Sequence, residues 1–129
     1  MTKHDLVKAR FVYAHSDLMA ATYMFENMPA KPFEIICYHC QQCAEKALKG
    51  YLVYHDENPP YIHDLVRLCM LCTNYDQAFV ALVDSCSVLT EYSTTSRYPS
   101  DDEIDENDTK VAIKDAKLIY EICKDLTLS

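Results

Sequence analysis

The sequence predicts an all-α fold, an antiparallel up-and-down four-helix bundle with one additional short helix. Three observations carry this. Pro29, Pro32, Pro59, Pro60 and Pro99 cut the 129 residues into intervals, and within each interval the apolar residues recur at helical period. The composition holds a single Gly and no Trp, with half the residues apolar and a quarter charged, which is globular and suits helices joined by short connections. No stretch alternates in the strand manner over a useful length. The chain is long enough to bury one core, so residues 1–129 read as a single helical domain.

The first helix is expected from about Asp5 to Asn27, with Leu6, Phe11, Ala14, Leu18, Ala21 and Phe25 on one face. Residues 28–32 form a turn. The second helix starts just after Pro32, because proline suits a first helical turn. At 100° per residue, Phe33, Ile36, Cys37, Cys40, Cys43, Ala44, Ala47, Leu48 and Tyr51 fall in an arc of about 140°. Gln42, Lys46 and Lys49 lie opposite and read as a solvated or dimer-facing surface. Ile35 and Val53 share that polar side and suggest a contact beyond the core, for which a homodimer is the simple candidate.

His63-Asp64 opens a short third helix with Leu65, Leu68, Cys69 and Cys72 inward, ending near Thr73-Asn74. Asp76 reads as the N-cap of a fourth helix, whose inner stripe is Phe79, Leu82, Val83, Cys86, Leu89 and Thr90 and which stops near Tyr98, since Pro99 disfavours helix at the residue before it. Residues 100–108 hold six acids, suited to the first turn of a last helix. That helix runs to about Leu126, with Ala112, Ala116, Ile119, Ile122, Cys123 and Leu126 inward.

The net charge of −8 weighs against an extended, sequence-independent grip on nucleic acid, which needs clustered Lys and Arg. No apolar run approaches the roughly 20 residues of a membrane helix, and the N-terminus shows no signal-peptide pattern. Seven cysteines at helical spacing in such a chain point to free thiols in a reducing, cytoplasmic setting. Cys37, Cys40, Cys43 and the pair Cys69, Cys72 have i,i+3 spacings that would suggest zinc in loops. On apolar helical stripes the same spacing is core spacing, so the thiols read as small buried hydrophobes, and no metal or other cofactor is expected.

Two fragments carry a resemblance. Tyr38-His39-x-Gln41-Gln42-x-x-Glu45-Lys46-Ala47-x-Lys49, followed by Pro59-Pro60-x-x-His63-Asp64-Leu65, resembles the centre of a HEPN domain. Ser96-Arg97-Tyr98-Pro99 falls where small bacterial and archaeal members carry the same residues. The resemblance implies the helical bundle, a homodimer, and a cleft near Arg97, Tyr98 and His63. It also implies a partner, since small stand-alone members commonly accompany a minimal nucleotidyltransferase as a toxin–antitoxin pair. Many HEPN proteins are ribonucleases with an Arg followed, after four to six residues, by a His. Here Asp102 and Glu103 occupy that range and no histidine follows Arg97. An imidazole passes protons near neutrality and an exposed carboxylate does not serve as the acid there.

Arg97 is thus the sharpest candidate, either for binding or for an ion pair with the acids of 101–108 or a helix C-terminus. It lies 18 residues, or five whole turns, after Phe79 and would emerge on the inner stripe if the helix continues. His63 could add a donor for a phosphate, or Asp64 and His63 could simply cap the third helix with the imidazole bonding a neighbouring carbonyl. Glu45 and Lys49 form an i,i+4 pair in the favourable order. The expectation is a non-catalytic HEPN module binding a protein partner, a nucleotide, or both, through Arg97, Tyr98, His63, Asp64, Gln42, Lys46 and Lys49. The alternative is a metal-independent ribonuclease with an atypical site around Arg97, acting on RNA through His63 or a carboxylate.

Overall fold

The computed structural model describes residues 1–93 and 103–128. Among these, five α-helices and two 3-10 segments occur and no strand: α1 (Lys3–Asn27), α2 (Phe33–Tyr54), α3 (Leu65–Cys72), α4 (Val83–Leu89) and α5 (Glu106–Leu128). None of these helices is long and apolar enough to cross a membrane.

Helix α1 begins two residues earlier than its periodicity predicts, because Thr2 and Asp5 close a capping box. Asp5 N donates to Thr2 Oγ1 and Thr2 N to Asp5 Oδ2, both at 3.1 Å. Val7, Phe11, Ala14, Leu18 and Ala21 are its buried positions; Leu6, expected inward, is exposed, since the i,i+4 row through Phe11 passes Val7 instead.

Helix α2 is the axis of the structure, packed against α1, α5, α3 and α4. Its expected stripe is buried from Ile36 to Tyr51. Being wrapped on several sides, it also buries Leu52, Gly50, Gln41, Glu45 and Lys49. Gly50 permits one of these contacts: a Cβ there would stand 3.1 Å from Phe11 Cε2. After α2, Asp56 turns the chain with φ 63°, a left-handed conformation that Asp tolerates. The His55 ring stacks on Tyr75 at 4.2 Å, and Tyr75 Oη donates to Glu57 Oε1 at 2.6 Å, closing this end.

The fourth long helix does not form as one piece. Residues Gln77–Leu82 are 3-10, Val83–Leu89 α, and Thr90–Tyr92 3-10 again. Asp76 caps the first segment as expected, accepting from Ala78 N at 2.8 Å. Phe79, Leu82, Cys86 and Leu89 are buried as expected: the three-residue step from Phe79 to Leu82 suits the 3-10 segment, and the steps of four and three that follow suit α4. The five-turn count from Phe79 assumed one continuous α-helix, which residues 77–92 do not form, since a 3-10 residue turns about 120° and an α residue about 100°. In α5, Asp105 and Asp108 bond one another's backbone N–H at 2.8 and 3.1 Å to open the helix. Ala112, Ala116, Ile119 and Cys123 then face the core, and Ile122 and Leu126 border it.

Candidate functional site

On one side of α2, Gln41, Glu45 and Lys49 stack at i, i+4 and i+8. All three are buried, Glu45 to 7% exposure, and each has a partner. Glu45 is the hub. Its Oε1 accepts from Gln41 Nε2 at 3.0 Å and from His63 Nδ1 at 2.8 Å; its Oε2 accepts from Lys49 Nζ at 3.1 Å. Gln42 Nε2 donates to Gln41 Oε1 at 2.8 Å, extending the chain outward. Burial opposes the charge on Glu45. The hydrogen bonds from Gln41, His63 and Lys49, with the Lys49 charge, outweigh it and hold the carboxyl below the usual glutamate range.

The loop before α3 delivers His63 to this hub. Gln41 Nε2 (3.4 Å) and Thr90 Oγ1 (3.2 Å) both donate to the His63 carbonyl, and Thr90 Oγ1 accepts from Leu65 N at 3.0 Å. Asp64 caps α3 by accepting from Arg67 N at 3.2 Å, as the capping reading expects. The imidazole does not bond a carbonyl, as that reading also supposed. It bonds the Glu45 carboxylate, because a buried charge draws every donor within reach. Held by Nδ1, His63 keeps a side-chain exposure of 68% and presents Nε2 outward.

A second cluster flanks the first. Asp17 of α1 accepts from both Lys46 Nζ and His39 Nδ1, the latter at 2.9 Å, pinning α1 to α2. So the face read as solvated or dimer-facing carries an interhelical ion-pair layer within the chain. Lys49, expected on a solvated or dimer-facing surface, is covered within the chain; Lys46 and Gln42 stay half-buried. Arg97 and Tyr98 lie outside the described residues.

The structure thus joins His63, Gln42 and Lys49 in one network, sets Asp64 beside it as a cap, and places Lys46 in the neighbouring pair. The residues of the network that the sequence did not mark as site residues are Gln41, Asp17 and Thr90. A signal existed for Gln41, which lies only about 20° beyond Leu48 on the helical wheel and so borders the buried arc. Asp17 and Thr90 are separated from their partners by 22 or more residues, and no local pattern shows them.

The cysteines follow the core reading. All seven are free and buried, and among the described residues no group of three or more His, Cys, Asp or Glu is arranged to hold a metal ion. Burial raises the Cys40, Cys43, Cys72 and Cys123 thiols well above their ordinary range. Cys86 is raised by its hydrogen bond to Cys69 and by burial, and that same bond holds Cys69 lower.

The family model for the HEPN domain matches residues 7–126. The crystal structure of an archaeal HEPN homologue is similar, with a TM-score of 0.72 at 26% identity over 94% of this chain and 97% of that one. No curated protein sequence matches.

Proposed function

The chain belongs to the HEPN family, and from that premise we propose that it is a non-catalytic HEPN module that binds a partner through the α2–α3 face. The observation that carries this reading is the closed bonding of the polar residues there. Glu45 has both oxygens occupied by Gln41, His63 and Lys49, and Lys46 is occupied by Asp17. Such a face offers a fixed shape rather than a free reacting group. The sequence supports the same reading, since Asp102 and Glu103 stand where the ribonuclease signature needs histidine.

The partner fitting the family pattern is a minimal nucleotidyltransferase, paired with this chain in the toxin–antitoxin manner; a nucleotide is the alternative ligand, taken through the His63 Nε2 of this face, with Arg97 and Tyr98 as the binding residues the sequence resemblance implies. A homodimer is part of the proposal. Ile35, 44% exposed on α2, supports a self-contact there, while Val53 is half-buried at the edge of the core.

One observation favours a second reading, a metal-independent ribonuclease. A buried carboxylate that fixes His63 by Nδ1 and leaves Nε2 outward is how an imidazole is prepared for proton transfer. Metal-free RNA cleavage by wild type beside Arg97→Ala and His63→Ala separates the two. The binding module gives no cleavage in any sample. Cleavage by wild type that both substitutions remove makes the protein an enzyme.

A further inference from the structure

Between α1 and α5 lies an open groove of about 330 Å3 that shares no residue with the α2–α3 site. Its floor is aromatic. The Phe11 and Tyr120 rings meet edge-on at 6.3 Å, and the His15 ring lies 5.7 Å from Tyr120. Lys8 and Lys124 flank the floor, with Lys124 Nζ 5.8 Å from the centre of the Tyr120 ring. Neither lysine has an ion-pair partner among the described residues.

The decisive group is Tyr120. It is only 7% exposed, yet its hydroxyl makes no hydrogen bond to any described residue. Buried polar groups are nearly always satisfied, and one left over calls for an explanation. Tyr51 also leaves its hydroxyl unbonded, but it sits inside the aromatic cluster with His55, Tyr75 and Phe79. Tyr120 instead lines an open groove, which water or a ligand reaches, and its hydroxyl bonds no described residue.

The surroundings define what enters. Two ammonium groups and an imidazole select an anion, and Lys binds phosphate as a point charge. Val12, 54% exposed, gives an apolar wall above the floor of Phe11, which is itself almost covered. The volume is at the small end of ligand pockets, enough for one ring system with its phosphate. The chain carries −8 overall, so an anion is repelled elsewhere and such binding weakens as salt screens the lysines.

We propose that the α1–α5 groove binds a small aromatic phosphate monoester, with the phosphate between Lys8 and Lys124, within reach of the Tyr120 hydroxyl, and the ring against Phe11 and Val12. The inference uses none of the residues of the α2–α3 face and stands or falls apart from that reading.

Phenyl phosphate titrated into the full chain, followed by calorimetry and by NMR, tests it. Saturable binding is expected, with resonances of Lys8, His15 and Tyr120 shifting. Replacing both lysines (Lys8→Gln with Lys124→Gln) lowers the affinity at least about tenfold. Tyr120→Phe keeps the ring against Phe11 and lowers affinity about fivefold or more, while the melting temperature of the free protein holds or rises because no bond is lost. Three results overturn the proposal: no saturable binding at millimolar concentration; inorganic phosphate or phenol binding as tightly as phenyl phosphate; or Tyr120→Phe lowering the melting temperature and leaving affinity unchanged, which makes the hydroxyl a structural group.

Discussion

Helix α2 meets burial on two sides in opposite ways. The side formed by Cys37, Cys40, Cys43, Ala44 and Leu48 uses small, weakly polar groups. Its thiols either ask for nothing or donate to an acceptor across the core, as Cys43 does to the Ala116 carbonyl at 4.0 Å. The side formed by Gln41, Glu45 and Lys49 buries charge and must therefore pair it completely. The first side is additive and forgiving. The second is a network in which each member depends on the others, so the two should respond differently to mutation, to acid and to chemical probes.

The largest difference is expected from Glu45→Ala. It leaves Lys49 buried without its counter-charge and strips Gln41 and His63 of an acceptor, a loss of about 3–5 kcal/mol in urea unfolding. If that substitution costs no more than a thiol truncation, the network is not a unit. Lys49→Met keeps the Glu45 bonds to Gln41 and His63 and preserves volume, so about 1–3 kcal/mol is expected.

Acid sharpens the same contrast. The Glu45 carboxyl is lowered in the folded chain from an ordinary value of 4.5. Its contribution is therefore complete above 4.5 and lost as pH falls through the lowered folded value. Denaturation midpoints followed from pH 6 downward should fall in wild type over that window and fall less steeply in Glu45→Gln. A Cys43→Ala protein should keep the wild-type slope.

On the thiol side, Cys43→Ala removes only a sulfur atom from the core, and about 1–2 kcal/mol is expected. An aromatic disulfide reagent should find almost none of the seven thiols in the native protein and all of them after unfolding. Fast labelling of Cys40 or Cys43 in the folded state would mean that this side opens far more readily than its packing implies. The smallest effect belongs to the edge of the network, where Asp64→Ala removes only the α3 cap, about 0.5–2 kcal/mol.

Much of the fold was legible because burial of apolar side chains repeats at a period the chain itself displays. The inner positions of α3 (Leu65, Leu68, Cys69, Cys72) stand as the pattern assigns them, and so do Ala112, Ala116, Ile119 and Cys123 of α5. The segmented region 77–92 was not legible. The stripe of Phe79, Leu82, Cys86 and Leu89 is spaced by three, four and three residues, and its three-residue steps fit α and 3-10 geometry alike. The candidate site was half legible: its motif residues could be named, but not whom each would bond.

The sequence by itself determined the helical class, the capping at Asp64 and Asp76, and the placement of seven thiols inside. These are settled by local hydrogen-bond geometry and by the period of hydrophobicity, both short-range properties of the chain. Only the tertiary structure decided that Glu45 and Lys49 are interior, that His63 turns to Glu45, and that Asp17 secures His39 and Lys46. A wheel drawn for α2 alone assumes one covered side, whereas α1, α3, α4 and α5 surround it. Once its polar flank lost water, pairing with whatever donors those neighbours supplied became the least costly arrangement.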